Sequence, residues 1–597
     1  MLMEDIPNII CPTHILIKNI FMKVSDIIAT ILKKNKIKNV FGLQGGAVVH
    51  IFDSLEKKKI NVTYNHHEQS AALAAVANAK VTQNIGCAVV TTGPGSTNAI
   101  TGLLASWQDS VPCLFISGQA RSSHVSYGKK VRQTGTQEVN ICDIVRPITK
   151  YTKFISKKED VVKEFNKAIE ISKSGRPGPV WLDIALEIQW AEVNEKIDQK
   201  KKRKENNIAK LGLYKKSIEF LRKSKKPLFV IGYGVRLSGF NVSKLINFFN
   251  KNQIPFVLTW NTADIVETRN ENNLGIIGMS GQRGANKAMF QSDLIICLGT
   301  HLGIPHTTTL YDTYAPKAKK IIVNIDKNQL KNLNINFDLK IADNVKNFLS
   351  YLVKQKKLGK QKYLHKNKDY NWYDFKTKKV NSNKVIRALS QKIKDKKCLI
   401  VDGGGTALYA GFQSSVINKN DRIICSSSIS AMGTGLAESI GVGKSNIFKK
   451  LLCIVGDGSF LMNCQDLQTI YQNNFNIIIL VVNNNGYLAI RHTQKEFLNK
   501  RYFGTSPKGN LTLPSIKSIA KAFKIKYFKI KNIKEENQII KKLIYQKGPQ
   551  ICELIVDEDQ DSLFKQGYKK NLNGTFSPMT LEEMYPFANK AISNTNN

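Results

Sequence analysis

The sequence predicts three α/β domains, each a doubly wound parallel sheet covered by helices. Two observations carry that prediction. Short β-branched runs alternate with longer helical patterns over most of the 597 residues, the arrangement in which crossover helices join parallel strands. Two polar stretches rich in lysine, Glu192–Asn207 and Lys354–Asn383, interrupt the alternation. They leave blocks of roughly 15–190, 208–350 and 380–560 and a tail of 561–597, each block of ordinary domain size.

The elements follow in order. In the first block Phe41–Val48 comes after a helical pattern, and His66-His67-Glu68-Gln69 opens an alanine-rich helix over Ser70–Ala79. Strands follow at Ala88–Thr92 and Cys113–Ser117, the first running into the glycine-rich turn Thr91–Asn98. The second block carries strand runs at Leu228–Gly232, Leu294–Leu298 and Ile321–Ile325, and the third at Cys398–Val401, Leu451–Val455, Ile477–Val482 and Ile551–Val556.

Composition narrows the classes. Hydrophobic residues make up 42% and charged residues 23%, which excludes a disordered, collagen-like or disulfide-scaffold chain. No apolar run approaches the roughly 18–20 residues that span a bilayer. The opening Met1–Met22 mixes charges and prolines into its apolar residues, so no secretory core and no membrane association is expected, and the protein is expected in the cytoplasm. Lys+Arg number 89 against 46 Asp+Glu, a net charge of +43. A polyanion-binding role would need those cations clustered. The only dense run is Lys200–Lys204, inside a linker, so nucleic acid is not the expected partner. The ten cysteines contain no C-x-x-C pair and read as small buried hydrophobes in a reducing compartment. Gly443-Lys444-Ser445 lacks the first glycine of a P-loop, and His67-Glu68 lacks the second histidine of a zinc protease helix. His50 and His124 are the histidines expected nearest the site, each more often structural.

The third block holds the strongest signal. Strand Leu451–Val455 ends in Gly456-Asp457-Gly458-Ser459, and the next strand, Ile477–Val482, ends in Asn483-Asn484-Asn485. Neighbouring parallel strands place that carboxylate and that amide oxygen side by side at their carboxyl ends, where open α/β sheets bind ligands. Such oxygens suit Mg²⁺ completed by phosphate and water, and the flanking glycines let backbone approach a diphosphate.

Gly456-Asp457-Gly458 followed by Asn483-Asn484 is similar to the thiamine-diphosphate motif of the acetolactate synthase and pyruvate decarboxylase superfamily. The resemblance spans roughly residues 15–560, and it implies the three-domain fold of those enzymes. It implies thiamine diphosphate, with Mg²⁺ held by Asp457, Asn484 and the carbonyl of Gly486. Gly456, Gly458, Ser459, Met432 and Gly433 join these as cofactor-binding residues, Met432 being the wedge that bends the cofactor. Glu68 of the His-Glu-Gln run is implied to hydrogen-bond the pyrimidine ring and set its tautomer, with Gln137 and Gly45 beside it at the reacting centre. The turn Thr91–Asn98, the segment Asp109–Gln119 and Gly175–Val180 resemble further acetolactate synthase landmarks. The middle block is similar to the family's flavin-binding domain, which implies FAD. A homodimer or homotetramer, with Glu68 of one chain facing the Asp457–Asn484 site of another, and a regulatory subunit complete what the family implies. The implied reaction is decarboxylation of a 2-oxo acid, pyruvate by default, and ligation of the two-carbon unit to a second carbonyl.

Three departures bear on the acceptor. Thr136 stands where the family carries Phe, Thr493 where it carries Trp, and His301–Pro305 where it carries an R-F-D-D-R run. Losing that last arginine removes a partner for an acceptor carboxylate and leaves a middle domain that binds nothing as the alternative to FAD. The departures, with a tail resembling enzymes of surface-polysaccharide pathways, admit a bulkier acceptor such as a keto sugar; simple decarboxylation is the third outcome. The tail from Asp561 is expected to close over the site.

Overall fold

The computed structural model of the protein describes residues 21–193, 210–355, 358, 380–560, 564–585 and 587. The predicted linker run Lys200–Lys204, together with Cys11, His14 and His365, lies outside the described residues, as do 15–20 and 208–209 at the starts of the first two expected blocks and 561–563, 586 and 588–597 of the expected tail. Three six-stranded sheets are present. The first comprises β1 (Asn39–Gly42), β2 (Asn61–Tyr64), β3 (Gly86–Val90), β4 (Cys113–Gln119), β5 (Tyr151–Ile155) and β6 (Val180–Ala185), in the order β2-β1-β3-β4-β6-β5. The second comprises β7 (Pro227–Ile231), β8 (Phe256–Leu258), β9 (Asn273–Ile276), β10 (Leu294–Leu298), β11 (Lys319–Asn324) and β12 (Leu339–Ala342), in the order β9-β8-β7-β10-β11-β12. The third comprises β13 (Lys397–Val401), β14 (Arg422–Ile424), β15 (Lys450–Gly456), β16 (Ile477–Asn483), β17 (Lys526–Ile530) and β18 (Gln550–Ile555), in the order β14-β13-β15-β16-β18-β17.

The strand pairings that build these sheets are parallel. The first and third sheets share one strand order, a duplication that no repeat in the sequence announces. In both, the chain winds one way from the first strand and back the other way to the third, so a crevice opens at their carboxyl ends, between β1 and β3 and between β13 and β15. The middle sheet has its switch between β7 and β10.

Five helices matter for the site: α1 (Glu68–Thr82), α2 (Pro94–Asn98), α3 (Thr434–Lys444), α4 (Asp457–Met462) and α5 (Leu488–Phe497). Helix α1 is longer than the predicted Ser70–Ala79 because His67 caps it, its Nδ1 accepting from the Gln69 amide at 3.2 Å. Its small residues are buried on every side, as a helix without a polar face must be. It packs on α3 so closely that a Cβ on Gly441 would lie 2.0 Å from the Ala74 carbonyl oxygen. One apolar core therefore runs from Ala71 and Ala75 through Leu436 and Ile440 to Val455 and Phe460, joining the first domain to the third. A second joins the middle domain to the third, where Trp260 stacks on Phe412 with centroids 5.7 Å apart.

Ion pairs reinforce the junction. Lys80 is paired with Asp109 at 2.8 Å and donates to the Cys425 carbonyl at 2.7 Å. Asp264 of the middle domain sits between Arg236 and Arg422. The chain after Phe564 lies across the middle domain and α5: the Gln566 amide donates to the Met279 carbonyl at 2.9 Å, Lys565 pairs with Glu496 at 3.1 Å, and Phe576 packs edge-on against Phe497. No helix among the described residues is long and apolar enough to cross a membrane. The described cysteines are all free, and all but Cys464 are buried.

Candidate active site

Strand β15 passes into α4 without a loop, so Gly456 caps the helix and Asp457 is its first residue, at the third sheet's crevice. Its Oδ1 accepts from the Gly458 amide and its Oδ2 from the Gly486 amide, both at 2.9 Å. Burial pushes the Asp457 carboxyl up to about 6, against the pull of those amides and of Arg491. Beside it at the end of β16, the Asn484 side chain is buried, its Nδ2 reaching Thr406 Oγ1 at 3.4 Å while its Oδ1 has no partner. A buried carboxylate short of positive charge next to an unpartnered amide oxygen is the donor set a hard divalent cation satisfies.

The backbone around these oxygens admits only glycine. Gly486 has φ +127°, and a Cβ there would lie 2.2 Å from the Thr505 carbonyl oxygen; one on Gly458 would strike the Tyr487 ring at 2.2 Å. Arg491 of α5 is buried and holds the turn by its carbonyls, donating to Asn484, Asn485, Thr505 and Glu558. Across the crevice, Gly433 is left-handed at φ +83° and caps α3, with Met432 just before it. A Cβ on Gly404 would lie 2.5 Å from Ser459 Oγ and 2.7 Å from Met432 Cγ, so Ser459 and Met432 crowd this loop. Asp402 ties the two sides, accepting from the Gly404 and Gly435 amides at 2.9 Å each; burial raises its pKa. A polar cavity of about 530 Å³ opens beside Asp457 toward Asn483, Asn485 and Lys529.

The first sheet's crevice carries the other residues. Glu68 opens α1, is 8% exposed, and accepts from Asn98 Nδ2 at 3.0 Å. Gly95 packs against the Thr91 side chain, whose Cγ2 a Cβ would strike at 2.7 Å, with Glu68 Oε1 in ordinary contact at 3.4 Å. Gly45 lies against Thr91, whose side chain a Cβ would meet at 2.6 Å. Gln137 is exposed and holds a left-handed backbone at φ +57°, a conformation that costs a residue with a Cβ roughly 1–2 kcal/mol. Within one chain the two crevices are linked through Asn463, which reaches Gln69 and Ser70 at 3.4 Å and the Gly433 carbonyl at 2.8 Å.

The sequence passed over Asn98, Asp402, Asn463 and Arg491. Asn98 ends the glycine-rich turn and Asp402-Gly403-Gly404-Gly405 follows a strand, so both had a signal; the other two are placed only by packing. Thr136 and Thr493 are exposed, in the first and third domains. His50 packs edge-on against Trp190, and His124 ends a short 3-10 turn. His301 and His306 line a cavity of about 220 Å³ at the middle sheet's switch point. Burial pushes His306 down to about 3 and leaves its Nδ1 without a partner. Residues of all three domains line this cavity, among them Arg176, Asn261, Asn344 and Ser428.

Comparison with known proteins agrees with this geometry. Residues 22–144 match the family model of the thiamine pyrophosphate enzyme N-terminal TPP binding domain, residues 214–352 that of the central domain, and residues 403–554 that of the C-terminal TPP binding domain. The chain is 32% identical to an acetolactate synthase large subunit of Cyanidium caldarium, over 88% of this chain and 92% of that one. It is 31% identical to the acetolactate synthase large subunit of Buchnera aphidicola from Schizaphis graminum, over 78% and 83%. With the isozyme 2 large subunit of Escherichia coli K12 it shares 27%, over 88% and 94%.

Proposed function

The chain belongs to the acetolactate synthase large-subunit family of thiamine pyrophosphate enzymes, and from that premise we propose a two-step reaction at the paired crevices. A 2-oxo acid, pyruvate in the first instance, loses CO₂, and its two-carbon unit is joined to a second carbonyl compound, a second pyruvate giving acetolactate. The observation that carries this reading is the buried Asp457 beside the unpartnered oxygen of Asn484, across the crevice from Met432.

Those residues fit Mg²⁺ and a diphosphate: Asp457, Asn484 and the Gly486 carbonyl would hold the cation, and Gly456, Gly458, Ser459 and Gly433 would let backbone approach the phosphates. Thiamine diphosphate, when bound, supplies the electron sink that the loss of CO₂ requires. The chain's own groups do the rest. Met432 would prop the cofactor, Glu68 would hold a proton contact to its pyrimidine ring, and Asn98 orients the Glu68 carboxylate. Gly45 gives close backbone approach on the same side. Gln137, exposed at the mouth, faces the incoming carbonyl compound. The segment after Asp561 would exclude water.

Two copies are proposed as the minimum active unit, Glu68 of one serving the Asp457–Asn484 site of the other. The relatives' printed name, large subunit, supports a second, regulatory kind of subunit. The switch-point cavity of the middle sheet would hold part of a dinucleotide such as FAD, with Asn261, His301 and Asn344 as its polar contacts. A flavin spectrum of the purified protein tests that assignment. The cytoplasm is the proposed compartment.

The experiment is incubation with thiamine diphosphate, Mg²⁺ and pyruvate while CO₂ and acetolactate are followed together. Acetolactate in step with CO₂ is the expected result. CO₂ without acetolactate would favour a bulkier acceptor, such as a keto sugar, at the wall where Thr136 and Thr493 replace aromatics, or a simple decarboxylase. Formation of neither product would overturn the pyruvate reading.

A further inference from the structure

The exposed Gln137 is held by a buried chain of hydrogen bonds that runs to the middle of the first sheet. Asp183, on β6, is fully buried and lies in register with Ser117 on β4. Its Oδ1 accepts from Ser117 Oγ at 2.6 Å. Its Oδ2 lies 3.0 Å from both Gln119 Nε2 and the Tyr127 hydroxyl. The second Nε2 hydrogen of Gln119 goes to the Val139 carbonyl at 2.8 Å. With both hydrogens committed to acceptors, the Gln119 amide has one orientation, and its Oε1 must face the other way.

There it accepts from Thr92 Oγ1 at 2.7 Å and from the Ala120 amide at 2.9 Å. The single Thr92 hydroxyl hydrogen is shared with the Gln137 carbonyl, 3.2 Å from Oγ1, as the longer arm of a bifurcated bond. That carbonyl is pressed against Gly93, where a Cβ would sit 2.3 Å away. The Gln137 backbone is left-handed, a conformation that persists only where the surroundings over-determine it.

We propose that Asp183, Gln119, Tyr127 and Thr92 form a positioning relay that fixes the Gln137 backbone and so the wall met by the second carbonyl substrate. None of the four touches the donor side at Glu68 in any hydrogen bond described above. The relay therefore acts on ligation more than on the loss of CO₂, because a misplaced wall weakens only interactions made with the acceptor. The proposal rests on the two-step reading above.

The test uses Thr92→Val, which keeps shape and removes the last link, Tyr127→Phe, which removes a donor at the far end, and the double variant. Acetolactate formed per CO₂ should fall about tenfold in each single variant, with CO₂ release within about twofold in Tyr127→Phe. The double variant should be no worse than the worse single one, since both break one chain. CO₂ and acetolactate falling in parallel, an unchanged ratio, or additive losses would overturn the relay. Hydrogen exchange over residues 121–138 gives a readout free of turnover: both variants should lose protection there and not in α1, and unchanged protection overturns the relay whatever the substrate. Absence of CO₂ from the unaltered protein would instead refute the pyruvate reading, and the exchange result would still decide on the relay.

Discussion

Replacing Lys80 with methionine breaks the ion pair where the three domains meet. The Lys80 and Asp109 side chains are 3% and 0% exposed, with Nζ 2.8 Å from Oδ2. At an effective dielectric constant of about 20, that separation gives an attraction of 332/(20 × 2.8), about 6 kcal/mol. Desolvation of two ions consumes several kcal/mol of it for each, so the intact pair contributes little net stability. Removing one partner is different. Asp109 is left charged and dry beside Glu438, which burial already pushes up to about 7 although Lys80 pulls it down. The Cys425 carbonyl also loses its donor. The expected cost of Lys80→Met is about 3–5 kcal/mol, with a small volume term because methionine fills similar space. Urea unfolding followed by tryptophan fluorescence reads it as a lower midpoint. The penalty should shrink at mildly acid pH, where Glu438 takes up a proton, and Lys80→Met/Asp109→Asn should recover at least half of it. A loss under about 1 kcal/mol, the value of a surface pair, or a double variant as weak as the single one, would refute the reasoning.

Glu68→Gln should cut turnover at least about a hundredfold, the low end for a proton-transfer group, while calorimetry shows thiamine diphosphate and Mg²⁺ still bound. Gly486→Ala should weaken Mg²⁺ binding more than about tenfold, since φ +127° and a Cβ 2.2 Å from the Thr505 carbonyl oxygen force the turn to move. Burial pushes Asp183 up to about 7 from 3.8, so the neutral carboxyl is favoured in the folded state. The stability this brings is complete below about pH 4 and is lost as the pH rises to about 7. Asp183→Asn, which cannot ionise, should gain on the unaltered protein across that window and hold a constant difference above it, as pH-dependent unfolding would show.

The sequence by itself determined nine of the eighteen sheet strands, the three-domain α/β class and the place of the Asp457 and Asn484 oxygens at neighbouring strand ends. Runs such as Ile477–Val482 can satisfy their backbone and side chains only inside a sheet, and Asp457 and Asn484 follow such runs directly. Helix α1 was legible from its alanines, though not its first turn, because the His67 cap depends on a side chain reaching back to the Gln69 amide. The tertiary structure decided what the chain brings together over long separations. Only it sets Asn463 against both crevices, Arg491 under the turn that follows Asn484, and His301 and His306 at the middle-sheet cavity. Only it shows the first and third sheets to share one strand order. The physical reason is that strand and turn preferences are properties of a few neighbouring residues, whereas strand order, helix-to-helix approach such as Gly441 on Ala74, and buried ion pairs such as Lys80 with Asp109 are fixed by close packing. That packing joins segments hundreds of residues apart, and no local pattern encodes it.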